Sequence, residues 1–322
     1  YCAFMKNSKS IKNDFLPGFL LFSFLLPLFV IIFWPYLWEN PIINFFKVFS
    51  SLSSFPHEGY NFYFGQFHLA SHAPWHYVFV WIAITTPLFY LFLFIFGFWS
   101  ITKKIILNNN MNNFWNNNSK IQDLIYYFLF ISPIFIIILL NSTIYNGWRH
   151  LYFIYPCLLM ISITGIDFIN DKYVKNRKFI LEIIILIFLI PIGFGMIKNH
   201  PHQNVYFNII AGNNIEKNFE MDYWGISNKQ ALEFILKNEK KDLIKIGSAG
   251  PISLENSKKI LSTNKRKRLE ISNNKEADYI INNYIDWHGN YKKERYKIPA
   301  NFKVYKEILA GGIRIITIYK KT

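Results

Sequence analysis

The sequence predicts a polytopic α-helical membrane domain followed by a small α/β extracytoplasmic domain. Two observations carry this fold class. Five apolar stretches, each about long enough to cross a bilayer, occupy the first two-thirds of the chain, and a polar tail of 125 residues follows them. A third observation, the uneven spread of Lys and Arg among the loops, sets the orientation.

The predicted spans are Leu16–Trp34, Tyr77–Trp99, Ile121–Leu140, Leu151–Ile166 and Phe179–Ile197. A helix needs about 20 apolar residues to cross a core of about 30 Å. Backbone in lipid satisfies its own hydrogen bonds, so these stretches must be helical. Leu151–Ile166 is the shortest and weakest of them. Pro87, in the Thr85-Thr86-Pro87 step, and Pro133 are expected to kink their helices. Buried helices of a soluble protein rarely recur as five such runs in one chain.

Ten basic residues precede the first span or lie in the loops after the second and fourth: Lys6, Lys9, Lys12, Lys103, Lys104, Lys120, Lys172, Lys175, Arg177 and Lys178. Only Lys47 and Arg149 fall in the other two loops. The positive-inside rule puts the N-terminus and loops 100–120 and 167–178 in the cytoplasm. Loops 35–76 and 141–150 and the tail 198–322 then face the other side.

The net charge of +15 includes 23 basic and 13 acidic residues in the tail, with a run Lys265-Arg266-Lys267-Arg268. On the external side there is no nucleic acid to bind, so a solvated face or attraction to anionic lipid is the reading. Cys2 and Cys157 are placed apart, one in the cytoplasmic lead and one in a span, and build no disulfide framework. No zinc-ligand spacing occurs, and the sequence indicates neither a cofactor nor a divalent metal. Residues 108–118 are Asn-rich and read as a flexible loop. The first residue is Tyr1, not Met, and the chain is expected to be the C-terminal portion of a longer protein.

Loop 35–76 is long and aromatic. Ile42–Phe55 reads as an amphipathic helix in the interface, with Phe45, Phe46, Phe49 and Leu52 near one face. After a junction at 198–226, the tail from 227 to 322 reads as α/β. Ser227-Asn228-Lys229-Gln230 has the capping-box pattern and opens a helix. Strands are predicted at Leu243–Ile246 and Asp278–Asn282, and a hairpin at Phe302–Leu309 and Ile313–Tyr319 turning on Gly311-Gly312. No GxGxxG, P-loop or GxSxG motif is present, so the tail offers no recognisable active site of its own.

Three clusters on the external side have residues that carry chemistry. His57, Glu58, His68, His72, Trp75 and His76 place four histidines and a carboxylate within twenty residues. They suit acid–base or metal chemistry, although an aromatic belt explains them as well. Tyr145-Asn146-Gly147-Trp148-Arg149-His150 sets an Arg beside a His at the bilayer surface. The planar guanidinium fork suits a phosphate; the plainer alternative is an interfacial anchor. The third cluster runs from His200 to Gly225 and holds Glu220 and Asp222. Spaced by two, these carboxylates would share a face of a strand and bind a sugar hydroxyl or a cation. A structural junction is the competing reading.

Together the three clusters resemble bacterial membrane glycosyltransferases of the GT-C class, and more narrowly the protein-mannosyltransferase-like family 39. The resemblance rests on Pro74-Trp75-His76-Tyr77 before a span with Ile84-Thr85-Thr86-Pro87, and on Asn146-Gly147-Trp148-Arg149-His150, similar to a Gly-Arg-Arg-His motif. It rests also on His200-Pro201-His202-Gln203-Asn204-Val205-Tyr206-Phe207-Asn208 and on Asp222-Tyr223-Trp224-Gly225-Ile226-Ser227. Residues 60 to 235 are covered, and Trp148 stands where Arg is usual. The resemblance implies transfer of a sugar from a polyprenyl-phosphate carrier to a lipid, protein or glycan acceptor, outside the bacterial inner (cytoplasmic) membrane. It assigns Arg149 and His150 to the carrier phosphate. The substrate-proximal candidates are His57, Glu58, His72, Trp75, His76, Glu220 and Asp222. The family's catalytic acidic motif has no counterpart in this chain and is expected upstream.

Two other functions compete. A non-enzymatic polytopic protein, for polysaccharide transport or as an assembly partner, would face ionisable residues toward one another inside its spans. The span interiors here are almost free of charge, and Glu182 lies near a helix end. A membrane-anchored receptor would carry its ligand site in the tail.

Overall fold

The computed structural model describes residues 8–53, 59–107, 118–175, 178–285 and 294–322. Four helical runs are long and apolar enough to cross a membrane: Leu88–Leu107, Lys120–Leu139, Arg149–Val174 and Phe179–Lys198. The fifth apolar segment, Pro17–Phe33, is shorter and belongs to helix α1 (Ser8–Phe33). A membrane helical domain with a small sheet region is therefore the architecture. The compact units do not follow chain order. One unit holds residues 1–57, 92–143 and 153–173, the other 58–91, 144–152 and 174–322.

In the first unit, α1 is followed by α2 (Pro41–Ser53), the expected amphipathic helix. Ile42, Phe45, Phe46 and Phe49 are exposed, as an apolar face meant for lipid would be. Asn44 on the other side is buried and donates to the Tyr36 carbonyl at 2.9 Å. Most of α4 (Leu88–Leu107), with α5 (Asn118–Leu139) and α6 (Tyr155–Ile169), completes the unit. Gly97 on α4 and Gly165 on α6 face each other's helix backbones. A Cβ on Gly97 would strike the Ile161 carbonyl, and one on Gly165 the Leu93 carbonyl. Small residues at such crossings let helix backbones approach in lipid. Asp123 on α5 joins all three helices, accepting from Thr164 at 2.9 Å and pairing with Lys104 at 3.3 Å.

Two predicted spans need correction. Tyr77–Trp99 is not one helix. It divides into α3 (Tyr77–Thr85) and α4, because Thr86 precedes a proline and takes extended backbone. The membrane-length helix therefore starts at Leu88 and carries Lys103 and Lys104 in its last turns. Tyr77, Val78, Trp81 and Ile84 of α3 are buried in the second unit. The segment from Leu151 is also longer than its hydropathy indicates: a 3-10 start at Arg149–Ile154, then α6, then a π turn at Asn170–Val174. The helix at α7 (Lys178–Lys198) matches its expectation.

The second unit begins with a hairpin that went unpredicted, β1 (Tyr60–Tyr63) against β2 (Gln66–Leu69). Its two-residue turn has Phe64 at φ 49° and Gly65 at φ 73°, the left-handed pair that two-residue hairpins favour. After α7 come short 3-10 turns, then α8 (Ile226–Asn238). A five-stranded sheet follows in the order β4-β3-β5-β7-β6. Its strands are β3 (Ile244–Ser248), β4 (Leu269–Ile271), β5 (Tyr279–Asn282), β6 (Phe302–Ala310) and β7 (Ile313–Lys321). β3 is parallel to both β4 and β5, while β7 is antiparallel to β5 and β6. Ala231, Leu232 and Ile235 of α8 are fully buried with the inner faces of β3, β5 and β7. The predicted strands and hairpin are present. The three-residue β4 and the short helices α9 (Leu254–Lys259) and α10 (Thr263–Lys267) are additions.

The basic run lies on α10 and its end. Arg268 donates to the carbonyls of Leu236, Glu239 and Lys241, which closes the end of α8. The capping box is a further correction. Gly225 at φ 66° is the N-cap, and Ser227 lies inside the helix with its hydroxyl donated to Asp222.

Candidate functional site

Within the second unit, backbone contacts join β1, the loop 144–150 and the segment 218–222. Asn61 on β1 is fully buried; it donates to the Ile144 carbonyl at 2.7 Å and accepts the Asn146 N–H at 3.2 Å. The Tyr77 hydroxyl accepts the Gly147 N–H at 3.1 Å. Asn146 and Gly147 both have positive φ, 57° and 70°, so the chain reverses sharply there. Trp148 is buried and donates its indole N–H to Thr85 at 2.9 Å. That anchor packs the loop onto α3, and Arg149 is left beside the aromatic side chains.

The segment 218–222 runs beside β1 on its other flank. Phe219 bridges Tyr63. The Glu220 N–H donates to the Phe62 carbonyl at 3.2 Å, and Glu220 Oε1 accepts the Phe62 N–H at 3.3 Å. Glu220 is 3% exposed, and its Oε2 has no partner. Burial pushes its carboxyl up to about 8, against the opposing pull of the Phe62 N–H and of the Arg149 charge.

Arg149 is half-buried among rings. Its guanidinium carbon lies 4.5 Å from the centre of Tyr145, 5.0 Å from Trp224 and 5.8 Å from Tyr223. Such placements stabilise a cation through the ring quadrupole without consuming its hydrogen-bond donors. Its Nε donates to His150 Nε2 at 3.4 Å, and the His150 ring packs edge-on to Tyr145 at 4.6 Å. Burial raises the Tyr223 hydroxyl, with Tyr152 beside it adding to the shift. Trp224 is 58% exposed and so leaves one side of the cage open.

Asp222 is placed otherwise. Its carboxylate accepts from the Ile226 N–H at 3.1 Å, the Ser227 N–H at 2.7 Å and the Ser227 hydroxyl. This completes the first turn of α8. Glu220 and Asp222 do not share a strand face, since only Phe219 makes a bridge and the chain turns at Tyr223. In the first cluster, His57 and Glu58 lie outside the described residues. His76 shares a 2.7 Å hydrogen bond between Nδ1 and the Tyr63 hydroxyl, and His72 one of 2.9 Å with Ser71. Trp75 is exposed and edge-on to His76. Among the described residues, no three His, Cys, Asp or Glu side chains converge as a metal site would require.

No family model, curated protein or solved structure matches the chain. The site is therefore read from its own chemistry. It groups Arg149, His150 and Glu220 with Tyr145, Tyr152, Tyr223 and Trp224. The sequence reading named the first three and left out the rings. Their signal was present in the Tyr145-to-His150 and Asp222-to-Gly225 motifs, where aromatics flank the Arg and the acids.

Proposed function

We propose that this chain belongs to a membrane glycosyltransferase that takes a sugar from a polyprenyl-phosphate carrier and passes it to a lipid, protein or glycan acceptor outside the bacterial inner membrane. One observation supports the reading most. Arg149 opens a 26-residue apolar helical run, and its guanidinium is flanked by three rings. A cation at the end of a membrane-length helix suits a phosphate carried at the bilayer surface. The aromatic walls suit the neutral parts of a lipid-linked sugar, because a ring face packs against C–H groups. His150, exposed next to Arg149, adds a second polar contact for the same phosphate. The external side follows from the basic residues of the other loops.

The test is binding of undecaprenyl phosphate to the detergent-solubilised chain. Arg149→Ala should weaken binding at least tenfold while membrane insertion and the melting curve stay unchanged. A charged hydrogen bond is worth roughly 1.5–3 kcal/mol, which corresponds to that range. Unchanged binding would remove Arg149 from the phosphate site and with it this reading.

A further inference from the structure

The β6–β7 hairpin and the segment before Phe219 enclose a cleft of about 360 Å³ within the second unit. One wall is residues 212–216; the other is the hairpin, from Glu307 through Gly311-Gly312 to Arg314. Arg314 fixes two carboxylates across it. Its guanidinium donates to Glu307 Oε1 at 2.8 Å and to Glu216 Oε1 at 2.9 Å. Each carboxylate keeps its Oε2 without a hydrogen bond among the described residues. The side-chain amides of Asn213 and Asn214, exposed on the rim, likewise have no partner among the described residues. A Cβ at Gly212 or Gly312 would meet nothing within 4 Å, so backbone lies open there. Ile215 and Ile313 supply the apolar lining.

The charges narrow the ligand. Two carboxylates against one guanidinium leave the cleft net negative, which repels an anion. A bare metal ion lacks ligands, because among the described residues no three His, Cys, Asp or Glu side chains converge. The cleft instead alternates acceptors and donors at close range: carboxylate oxygens, side-chain amides and open glycine backbone. Hydroxyl groups match that mixture, since each donates and accepts. A hydroxyl on a carboxylate makes the stronger, charge-assisted bond. A pyranose ring has hydroxyls on its edge and C–H groups on its faces, and the faces pack against Ile215 and Ile313. Pockets for small ligands start at roughly 300 Å³, so the cleft takes a single ring. A mere staple between the two walls would need the Arg314 pairs alone, without the unpartnered amides and open glycines beside them.

We infer that this cleft binds a neutral sugar residue, with Glu216, Glu307, Asn213 and Asn214 taking its hydroxyls. The lip of the cleft is tied to the end of α7, where the Gly311 N–H donates to Asn199 at 2.8 Å. That placement suits a glycan borne at the membrane surface. The cleft shares no residue with the Arg149 site, so sugar binding here and phosphate binding there stand or fall separately.

The experiment is saturation-transfer NMR on the full chain in a detergent without a sugar headgroup. The probes are glucose, mannose, galactose and N-acetylglucosamine. At least one should bind, with a dissociation constant on the order of 1 mM for a single small ring. Asn213→Ala combined with Asn214→Gly removes both amides and keeps the left-handed backbone at residue 214, where φ is 55°. Binding should weaken about tenfold, the worth of two ordinary hydrogen bonds. Glu307→Gln keeps the shape, replaces a charged acceptor with a neutral one, and should weaken binding by about the same factor. No signal from any of the four sugars with the wild-type chain overturns the inference, and so does wild-type affinity in both cleft variants. Spermidine tests the negative charge alone: if it binds and the sugars do not, the cleft is a cation site and the inference fails. Sugar binding lost in Arg149→Ala but kept in both cleft variants puts the sugar at the Arg149 site and likewise overturns it. Sugar binding lost in the cleft variants, with undecaprenyl phosphate still bound, supports the cleft and leaves the reading of Arg149 untouched. The wild-type panel needs no variant, so a folding defect in Glu307→Gln does not blunt the test.

Discussion

The side-chain amide of Asn208 donates to the Ala83 carbonyl at 2.7 Å, the acceptor that Pro87, four residues along, has no N–H to satisfy. The same amide donates to the Thr86 carbonyl at 2.6 Å, and the Asn208 backbone N–H donates to Ile84 at 2.8 Å. One residue 121 positions away in sequence thus closes the gap between α3 and α4.

Replacing Asn208 with Ala is therefore expected to destabilise the chain by about 2–4 kcal/mol, since two buried acceptors lose their partners at once. A thermal melt in detergent measures it. Restoring an N–H with Pro87→Ala in the same chain should recover part of the loss, and a double-mutant cycle reads the coupling. Strict additivity would show that Asn208 does not act by serving the break.

Asp222→Ala should cost about 1–2 kcal/mol, the usual worth of a helix cap with its extra hydroxyl bond. Asp222→Asn should cost less. Affinity for a phosphate at Arg149 should hardly move. A variant that melts like wild type but loses ligand would return Asp222 to the list of groups that contact substrate.

Gly97→Ala should disturb the first unit strongly, because its new methyl would occupy the Ile161 carbonyl. Gly193 and Gly195 on α7 have open space around them, so Gly193→Ala serves as the neutral control. Yield of folded protein in detergent compares the two. Equal yields would mean that α4 and α6 part at little cost.

Glu220 also gives stability a pH dependence. Its folded carboxyl titrates near 8, above the ordinary 4.5, so the folded state retains a proton that the unfolded chain has released. Stability is then highest below about pH 4.5 and falls as pH rises toward 8, by something on the order of a few kcal/mol. Glu220→Gln should flatten that slope and gain stability relative to wild type near pH 8. A parallel slope in both chains would assign the effect to other groups.

Spans and sheet were legible for different reasons. Apolar runs of membrane length and the alternation in Phe302–Tyr319 are local patterns, and both are read without knowing what they pack against. The break after Thr85 was visible as a proline, but its depth was not, because the residue that makes a full break affordable is Asn208, far away in sequence. The capping box misled for a related reason: Ser227 carries the pattern, yet Asp222 reaches both N–H groups first across the tight turn at Gly225. In the site, Arg149 stood out as one of only two basic residues in loops 35–76 and 141–150. The isolation of Glu220 did not, since burial and a missing partner are properties of folded neighbours such as Phe62.

The tip of the β6–β7 hairpin meets the end of the last long helix, where the Gly311 N–H donates to Asn199 at 2.8 Å. The sheet is thereby joined to α7 twice, once by the connecting chain and once by this contact. The connection from residue 199 onward is thus closed back on itself at its start. The hairpin tip and the end of α7 cannot move apart without losing that hydrogen bond.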